Sequence, residues 1–576
     1  MNLKPEEKEI GKENFYSVIG SEHTRRDFLK GSIAAGLIGG GSLGAFYYGY
    51  GKVAGNPLRV GFIGVGDEGN VLLGAVNKDY LQVVAICDIR PFSIHRAFHG
   101  DVSSEAANKA RPGLMKKYDW KTREEAEKHV KIYHDYKELL ADKNVEAIVI
   151  GLPLHLHAQV AIDAMRAGKH VLTEKLMAKT ITECKHMARA AAETGKILAV
   201  GHQRHYNILY DNAVETIKKG LLGELHYIRA QWHRTNQPGR DSWQMPLPPG
   251  IRGDDKRLAE QLKKFNGELD KLNKGKEDDT KIKKIADLKK QIAQVEAQIA
   301  DKTVDAAKYG YEPKKITAGK MSYEASALEE LIRWRLWSRT GGGLMVELGS
   351  HQLDAASIFI AAEHGGKKQH PLSVSAMSNR NLFDLDREIE DHIHCMIDFP
   401  AKGYDPKDPL GKLRKITVQY ASINGNGFGG YGEVVFGTKG TLILEQEKDV
   451  MIFKDADTSS KIGVSKGKDG APALDTQASG GPAKAVAAAA VGADVSRGYT
   501  EELEHWAWCI RNPDPKNKPR CAPEIALGDA VIALTTNIAA RNNLRVDFKE
   551  SWFDVKDDAA PETDPEIAAQ IKARNA

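Results

Sequence analysis

Cysteine is scarce in this sequence, and neither sign of charge is in excess. The five cysteines are odd in number and show no C-x-x-C spacing, which argues against a zinc ribbon or a disulfide framework. We interpret them as buried free thiols, with a single bridge as the alternative in an oxidising compartment. The 82 basic and 78 acidic residues nearly cancel, and no basic cluster is interleaved with aromatic residues. The sequence therefore gives no indication of a nucleic-acid partner.

The N-terminal 56 residues have the features of an export signal. Thr24 to Lys30 read T-R-R-D-F-L-K, and the stretch from Gly31 to Gly51 carries no charge. This pattern is typical of a twin-arginine signal, which the Tat export machinery reads on folded proteins. The stretch is at the short limit for a membrane span, and no A-x-A site precedes Asn56, so cleavage and retention as an anchor are both open. We predict a periplasmic or exported protein and exclude residues 1–56 from the fold.

Residues 57–201 predict an N-terminal dinucleotide-binding domain of the Rossmann type. Leu58 to Val65 forms an apolar strand that runs into a glycine-rich turn, and a helix and a second strand follow. In such a unit the glycines allow a tight turn, close approach of backbone N–H groups to a pyrophosphate, and close helix packing. The alternative is a tight turn without a ligand. The residues predicted to bind a cofactor at this turn are Gly64, Gly66, Asp67, Glu68 and Gly69.

Asp88 indicates which dinucleotide is expected. It lies 19 positions beyond Gly69, where an acidic residue accepts hydrogen bonds from the adenosine ribose. A 2′-phosphate would be repelled by the carboxylate, so NAD is favoured over NADP. Arg90 is also predicted to contact the cofactor. It could stack on adenine, or its charge could partly offset the preference for NAD over NADP.

Polar residues follow two later strands of the same domain. The run P-L-H-L-H follows a buried strand at residues 145–151, and T-E-K-L follows another at residues 170–172. Because alternating strands and helices imply a parallel sheet, ligand groups are expected at the carboxyl ends of these strands. We predict that Pro153, His157, Glu174 and Lys175 lie beside the cofactor.

These motifs together resemble the Gfo/Idh/MocA oxidoreductase family. The run P-L-H-L-H, the helix A-I-D-A-M-R-A-G-K-H-V and the motif E-K-L occur in the order and spacing of that family. The resemblance implies an NAD(P)-dependent oxidoreductase in which Lys175 lies beside the nicotinamide and the substrate hydroxyl, with Glu174 near the cofactor ribose. One departure is Leu176, where the family has proline. A cis bond before leucine costs about 2.5–4 kcal/mol, far more than before proline.

A second set of candidates lies in the domain predicted for residues 202–548. The run G-G-G-L-M-V-E-L-G-S-H-Q-L-D places Glu347, His351 and Asp354 on one helix face. It is similar to the family's second signature, which implies that His351 is the general acid or base, with Glu347 in place of the usual aspartate. The alternatives are a structural histidine and a metal site. No third ligand has recognisable spacing, so no metal is predicted. The substrate candidates are His202, Arg204, His233, Arg335 and Asp354.

The fold class predicted for the whole chain is α/β. For the second domain we predict an α+β fold with an open, mostly antiparallel sheet, whose free face predicts a homo-oligomer. Apolar residues at heptad spacing predict a helical-hairpin insertion at residues 250–305, interpreted as a structural decoration or subunit contact. Residues 456–498, which are rich in Gly, Ala, Ser and Lys, are predicted to be a flexible loop. Residues 549–576 are predicted to be a loosely docked tail.

The leading hypothesis is an exported oxidoreductase that acts on a hydroxyl group of a sugar, polyol or glycoside. Because such an enzyme has no nucleotide supply, NAD is expected to be tightly bound and regenerated in place. The resemblance implies two routes: reduction of a second substrate, or return of the same hydride during glycoside hydrolysis through transient C3 oxidation. A non-enzymatic sugar-binding protein is a third hypothesis. Four tryptophans are interpreted either as sugar-stacking or as core residues: Trp232, Trp243, Trp334 and Trp337.

Overall fold

The computed structural model describes residues 3–20, 48–51, 53, 55–274, 278–467, 470–476 and 497–575. The twin-arginine motif and nearly all of the apolar stretch after it lie outside these residues. Within the described ranges, no helix combines the length and the hydrophobicity needed to span a bilayer. All five cysteines lie inside these ranges and are buried free thiols, as predicted.

The N-terminal domain is built around a parallel six-stranded sheet. Its central strands are buried along nearly their whole length, because helices cover both faces of a parallel sheet. The strand order is β3-β2-β1-β4-β5-β6, which is the doubly wound order of the Rossmann fold and confirms the prediction. The strands are β1 (Leu58–Ile63), β2 (Leu81–Cys87), β3 (Lys131–Tyr133), β4 (Ala147–Ile150), β5 (His170–Glu174) and β6 (Leu198–Gly201).

Helix boundaries follow local sequence signals. For example, the helix α9 begins at a capping box formed by Thr180 and Glu183 and ends at Gly195, whose φ of +64° suits glycine. The helices are α1 (Pro5–Ile19), α2 (Asp67–Ala75), α3 (Pro91–His99), α4 (Glu105–Ala110), α5 (Leu114–Tyr118), α6 (Arg123–Glu127), α7 (Tyr136–Ala141), α8 (His157–Arg166), α9 (Ile181–Thr194), α10 (Ile208–Lys218), α11 (Arg257–Asn273), α12 (Asp279–Ala300), α13 (Ala327–Ile332), α14 (Ser350–Glu363), α15 (Tyr499–Arg511), α16 (Pro523–Asn542) and α17 (Pro565–Asn575).

The second domain contains an eight-stranded, mostly antiparallel sheet, which also confirms the prediction. Its order is β15-β14-β13-β7-β12-β11-β10-β18, and β7 and β12 pair in parallel. Helices α14 and α16 pack on one face, while Met377 and Met396 are exposed on the other. The remaining strands are β7 (Leu225–Trp232), β8 (Lys314–Ala318), β9 (Met321–Ala325), β10 (Ser373–Asn379), β11 (His392–Pro400), β12 (Lys415–Ile423), β13 (Tyr431–Gly437), β14 (Gly440–Glu445), β15 (Asp449–Lys454), β16 (Gly463–Lys466), β17 (Pro472–Asp475) and β18 (Arg545–Asp547).

The helical hairpin predicted at residues 250–305 is present as α11 and α12. The two helices pack against each other, and α12 also packs on α3 of the N-terminal domain. The insertion therefore begins in the sequence of the second domain but docks on the first.

Two segments near the C-terminus differ from the sequence-based prediction. Within the region predicted to be a loop, Gly463–Lys466 (β16) pairs with Pro472–Asp475 (β17) in antiparallel fashion. Residues 477–496 lie outside the described residues. Helix α15 joins the core of the N-terminal domain, where Leu503 and Trp506 are fully buried. Helix α15 thus follows most of the second domain in the sequence but packs in the core of the first domain.

The C-terminal tail is docked more tightly than predicted. Trp552 is fully buried, and the tail backbone surrounds an ammonium group on α9. Lys185 Nζ donates to the carbonyl oxygens of Ser551, Asp557 and Ala559 at 2.7–2.9 Å. A buried charge requires such partners, because an unpaired charge in the interior is costly. The acidic, proline-bearing composition that suggested a loose extension does not reveal this contact.

Helix α1 is part of the folded body, although residues 1–56 were excluded from the fold on sequence grounds. It packs along β15 at the edge of the second sheet, where Phe15 and Val18 are buried. The interface is polar as well as apolar, because the nearly fully buried Asn14 is bonded to the backbone of the second domain.

Asn14 satisfies three backbone groups. Its Nδ2 donates to the carbonyl oxygens of Ile452 and Ser460 at 3.2 and 3.0 Å, and its Oδ1 accepts the Ile462 amide at 2.8 Å. Since unpartnered buried backbone groups are rare in native proteins, this side chain fixes the position of α1 on the sheet.

Asn14→Ala is expected to lower the free energy of unfolding by about 1–3 kcal/mol, because it leaves buried backbone groups without partners. The matched control is Glu6→Ala on the exposed side of the same helix, which should stay within about 0.5 kcal/mol of wild type. Urea unfolding of the full chain measures both. Equal stability of Asn14→Ala and wild type would show that α1 does not contribute to the fold.

Candidate functional site

A cavity of about 1100 Å³ lies at the carboxyl ends of β1, β2, β4 and β5 and extends to the second domain. Ligand pockets usually span about 300–1000 Å³, so this one is large. Its position is the one at which open α/β sheets bind ligands. The sequence-predicted residues that line it are Gly64, Gly66, Asp67, Glu68, Asp88, Arg90, Pro153, Glu174, Lys175, Arg335, Glu347 and His351.

The glycine-rich turn forms one end of the cavity. Gly64 has a φ of +83°, and a Cβ there would lie 2.5 Å from the Gly151 carbonyl oxygen. A Cβ on Gly69 would lie 2.1 Å from the Gly64 oxygen, so Gly69 serves the packing of α2 and does not line the cavity. A Cβ on Gly66 would meet no atom within 4 Å. The turn is therefore open at Gly66, where a pyrophosphate can approach the N-terminus of α2.

Two backbone amides hold the Asp88 carboxylate in place at the end of β2, and one of them belongs to the glycine-rich turn. Its Oδ2 accepts the Val65 amide at 2.9 Å, and its Oδ1 accepts the Arg90 amide at 2.8 Å. Burial raises the pKa of Asp88, and these two hydrogen bonds oppose the shift. The carboxylate is thus positioned for a ribose before any ligand binds.

The Arg90 guanidinium is paired with Asp301 at the end of the hairpin insertion. Its Nε and Nη2 donate to one Asp301 oxygen at 2.9 and 2.8 Å, and the other oxygen accepts the Phe92 amide at 3.0 Å. Asp301 is fully buried. Because the guanidinium is committed to this pair, Arg90 is not the free cation that would offset the preference of Asp88.

The hairpin forms one wall of the cavity, which the sequence did not predict. Gln294 joins it to the N-terminal domain: its Oε1 accepts the Val102 amide at 2.8 Å, and its Nε2 donates to Asp101 at 3.2 Å. Heptad spacing predicts that two helices pair, but it does not indicate the surface on which they dock. The hairpin residues that line the cavity are Gln261, Phe265, Gln291, Gln294, Val295 and Gln298.

Lys175 and His351 reach the other end of the cavity from different domains. Lys175 follows β5, and its peptide bond to Leu176 is cis. Its Nζ donates to the Glu347 carbonyl oxygen at 2.9 Å. Glu347 belongs to a π-helical turn, Met345–Gly349, that leads into α14. Such turns recur at functional sites, and this one places His351 at the start of the next helix.

The Glu347 carboxylate belongs to a chain of alternating charges. It accepts a hydrogen bond from Arg335 Nε at 3.0 Å, and the same guanidinium lies 3.4 Å from Asp67. Arg96 donates to Asp67 at 2.8 Å. Although burial opposes the shift, Arg96 and Arg335 lower the pKa of Asp67. These alternating charges connect Asp67, in the glycine-rich turn of the first domain, to Glu347 in the second domain.

Two groups in the cavity have protonation states set by burial. Burial lowers the pKa of His351 well below its usual value, and the charges of Lys175 and Arg204 act in the same direction. The imidazole is therefore neutral near pH 7 and can accept a proton. Burial and the neighbouring Glu68 raise the pKa of Glu174 to about 8. A protonated carboxyl group can donate a hydrogen bond to a ribose hydroxyl.

His157 was predicted to bind the cofactor, but the structure gives it a different position. It is buried, and its two ring nitrogens lie 2.9 and 2.8 Å from the carbonyl oxygens of Leu176 and Leu152. It therefore braces the loops after β4 and β5 and does not line the cavity.

Arg204 was predicted to contact substrate, but it is buried in an ionic network. It donates to Glu433 and Glu447 at 2.9 Å each and to the His351 backbone carbonyl at 2.7 Å. It thereby fixes the start of α14. Arg204 therefore positions His351 and does not make the predicted contact with substrate.

Three further substrate candidates also lie outside the cavity wall. His202 and Asp354 are each 1% exposed and face each other, with Nδ1 and Oδ2 3.4 Å apart. His233 lies just beyond β7 and does not line the cavity. A polar run at a strand end does not distinguish a side chain that faces a cavity from one that faces the domain interface.

The structure separates the tryptophans and adds residues that the sequence did not indicate. Trp232, Trp243 and Trp334 line the cavity, whereas Trp337 is fully buried in the core. The residues that were missed come from separate helices and loops without a local motif, so only the tertiary fold brings them here. They include Arg96, Asp101, Ser103, Arg111, Gln203, Arg234, Tyr309, Tyr311, Arg497 and Tyr499.

Comparison with solved structures adds only a general likeness. An aldose-aldose oxidoreductase from Caulobacter crescentus, in complex with glycerol, is 16% identical, with a TM-score of 0.47 over 86% of this chain and 100% of that chain. A likeness at this level carries no argument about function.

Curated relatives match between about a fifth and a third of the chain. A 1-carboxy-3-chloro-3,4-dihydroxycyclohexa-1,5-diene dehydrogenase from Comamonas testosteroni is 30% identical over 30% of this chain and 37% of the relative. A glycosyl hydrolase family 109 protein from Stenotrophomonas maltophilia is 29% identical over 31% of this chain and 36% of the relative. The chain thus spans about a third of the length of the curated relatives it matches.

A family model also matches part of the chain. Residues 58–202 match the GFO_IDH_MocA model, described as an oxidoreductase family with an NAD-binding Rossmann fold. The matched residues include the glycine-rich turn, Asp88 and Lys175, all of which line the cavity. Residues 58–202 of this chain therefore match the NAD-binding Rossmann domain of the Gfo/Idh/MocA oxidoreductase family.

Proposed function

We propose that this chain is an exported NAD-dependent oxidoreductase that acts on a hydroxyl group of a sugar, polyol or glycoside. The observation that carries the proposal is the convergence of Lys175 and His351, from separate domains, on one cavity that begins at the glycine-rich turn. An ammonium group and a neutral imidazole are suited to polarise a hydroxyl and remove its proton. The family match of residues 58–202 supports the same reaction class.

The roles of the side chains follow from their positions. When bound, NAD supplies the acceptor for the hydride that leaves the substrate carbon. His351 accepts the hydroxyl proton, and Lys175 donates a hydrogen bond to the same oxygen and stabilises the negative charge that develops there. The Glu347 carbonyl oxygen positions the ammonium group. The Glu347 carboxylate, paired with Arg335, contributes to the charge balance around the two groups.

The cavity wall favours a carbohydrate-type substrate. Trp232 and Trp334 provide apolar faces near His351, and Arg234 and Ser242 provide polar groups in the same wall. A sugar ring presents both a C–H face and hydroxyl groups, so it requires this combination of aromatic surface and a few placed polar groups.

We infer that NAD is used rather than NADP. Asp88 occupies the ribose end of the cavity, where a 2′-phosphate would meet a carboxylate. The nearest arginine along the chain, Arg90, is neutralised by Asp301. Arg90 therefore does not offer a free cationic partner for the extra phosphate.

We also infer that the hairpin insertion slows release of the dinucleotide. It covers the cavity on the side of Asp88 and is joined to the N-terminal domain through Arg90 and Phe92. With an association rate of roughly 10⁶ per molar per second, nanomolar affinity gives a bound lifetime of about a quarter of an hour, and picomolar affinity gives days. An exported enzyme needs the longer lifetime, and a wall that must move before release provides it.

Asp301→Asn is expected to accelerate NAD release at least about tenfold, a change of roughly 1.4 kcal/mol. The substitution keeps the shape of the side chain but leaves the Arg90 charge unpaired, which loosens the hairpin. Asp287→Asn, at an exposed position on α12, the helix that precedes Asp301, is the matched control. Release is measured by displacement of bound NADH fluorescence, and an unchanged rate in Asp301→Asn would contradict the retention role.

We propose export through the signal at Thr24 to Lys30 without removal of the N-terminus. Upstream of the signal, α1 is docked on β15. Downstream, Tyr50 donates to Glu504 at 2.6 Å, and Tyr48 packs edge-on against Tyr206. Both flanks of the signal therefore contact the same folded body. Cleavage before Asn56 would strip α1 from its site.

Export with retention of the N-terminus is tested by measuring the intact mass of protein taken from the periplasmic fraction. The mass of the full chain is expected, because α1 is buried against the second sheet. Detection of only a species that begins near Asn56 would contradict retention, and failure to find the protein outside the cytoplasm would contradict export.

The reaction itself is tested with protein that retains its nucleotide. Sugars, polyols and aryl glycosides are screened for reduced nicotinamide by absorbance. Lys175→Ala and His351→Asn are each expected to lower kcat/KM by about 10²–10⁴-fold, while the exposed His226→Asn on β7 should not. Proton removal requires neutral imidazole, so kcat/KM should fall only as the pH drops through the lowered pKa of His351. Full activity of either site variant would exclude the assigned pair.

Glycoside hydrolysis is the second candidate, favoured by the family 109 glycosyl hydrolase relative. In this reaction oxidation at C3 acidifies the C2 hydrogen, elimination expels the aglycone, water adds, and the hydride returns. The same aryl glycosides therefore distinguish the two functions. Release of aglycone with no net change in bound NAD would identify the hydrolase, and accumulation of reduced nicotinamide would identify the oxidoreductase.

A further inference from the structure

Outside the cavity, four side chains that can ligate a metal meet at the junction of three elements. His202 follows β6, Asp354 lies one turn beyond His351 on α14, and Cys521 and Asp529 flank the start of α16. The candidate ligand atoms of His202, Cys521 and Asp529 lie within 4.8 Å of one another, and those of Asp354 and His205 form a second such group with Asp529. The Nδ1 of His202 lies 3.4 Å from Oδ2 of Asp354.

These side chains are buried, and several of their polar atoms are unpartnered. Each of the four is 1–3% exposed. Among the residues that the structure describes, Nε2 of His202 and Oδ2 of Asp529 have no hydrogen-bond partner, and Nδ1 of His202 and Oδ2 of Asp354 face only each other, at 3.4 Å. Leaving a buried polar group unpartnered costs about 1–3 kcal/mol, so native structures rarely do so. Lone-pair atoms that converge in this way are typical of a cation site.

The other oxygen of each carboxylate is already engaged. Asp354 Oδ1 lies 2.9 Å from Nε2 of His205, and Asp529 Oδ1 accepts from the Lys368 ammonium. One oxygen of each carboxylate therefore remains available. Partners of this kind orient the ligands in metal sites.

The charges of the cluster also balance around a divalent ion. With a metal ion bound, Cys521 would be a thiolate, and it would carry three negative charges together with the two carboxylates. A divalent cation together with Lys368 carries three positive charges. Because uncompensated charge in the interior is costly, this equality favours occupation by a divalent ion.

We propose that His202, Asp354, Cys521 and Asp529 form a tetrahedral site for a divalent metal ion. Zinc suits the mixed nitrogen, sulfur and oxygen donors. For bonds of about 2.1 Å the edge of a tetrahedron is about 3.4 Å, which matches the separation of His202 and Asp354. The sequence predicted no metal, because these ligands are spread along the chain without recognisable spacing.

The ion has a structural role in this arrangement. Four protein ligands leave no position for water or substrate, and none of the four lines the cavity. The ion connects the end of β6 to α14 and α16. It thereby fixes the helix that carries His351 relative to the Rossmann domain.

Zinc content of the full chain tests the proposal. Protein is stripped with a chelator, dialysed against zinc sulfate and analysed by elemental mass spectrometry, with about one ion per chain expected. Cys521→Ser and Asp529→Asn are expected to lower zinc affinity at least about tenfold. Cys395→Ser, which alters a buried thiol on β11, is the matched control and should bind zinc like the unaltered chain.

Cobalt(II) provides a second measurement on the unaltered chain. Replacement of zinc should produce a thiolate-to-cobalt charge-transfer absorption that Cys521→Ser lacks. Absence of both bound zinc and this absorption at saturating metal would overturn the proposal, as would equal zinc affinity of Cys521→Ser and the unaltered chain. The cluster would then be an ion network held by Lys368 and His205.

Discussion

The hydrogen bond from Lys175 Nζ to the Glu347 carbonyl oxygen is the constraint on which the site depends. It joins the end of a Rossmann strand to a π-helical turn of the other domain. Because the acceptor belongs to the backbone, the position of the ammonium group is set by the course of the chain and not by a replaceable side chain. Gly342 and Gly343, with φ of +81° and +95°, allow that course, and His351 follows on the next helix.

Features that depend on short stretches of sequence were predictable. The glycine-rich turn, Asp88 and the alternating strands and helices are encoded within a few residues of one another, and the structure places them as expected. Side-chain direction at a domain interface was not predictable. Arg204 and His202 stand in a polar run at a strand end, yet both turn toward the second domain, because their buried partners come from much later in the chain. The docking surfaces of α1 and of the hairpin escaped prediction for the same reason.

The insertion changes the character of the nucleotide site. A Rossmann crevice is normally open at the ribose end, but here Gln294 and Asp301 bind the segments on either side of α3. Arg90, which in isolation would be an exposed cation, becomes a structural link. Loss of the hairpin would leave the Arg90 charge unpaired, and it would also remove one wall of the cavity. The insertion and the N-terminal domain therefore depend on each other.

The docking of α1 also has a consequence for the order of assembly. Its binding surface consists mainly of β15 and the residues just after it, more than 400 residues further along the chain. Helix α1 can therefore dock only after β15 has been synthesised and has joined the second sheet. A docked α1 thus depends on a surface that forms much later than the helix itself.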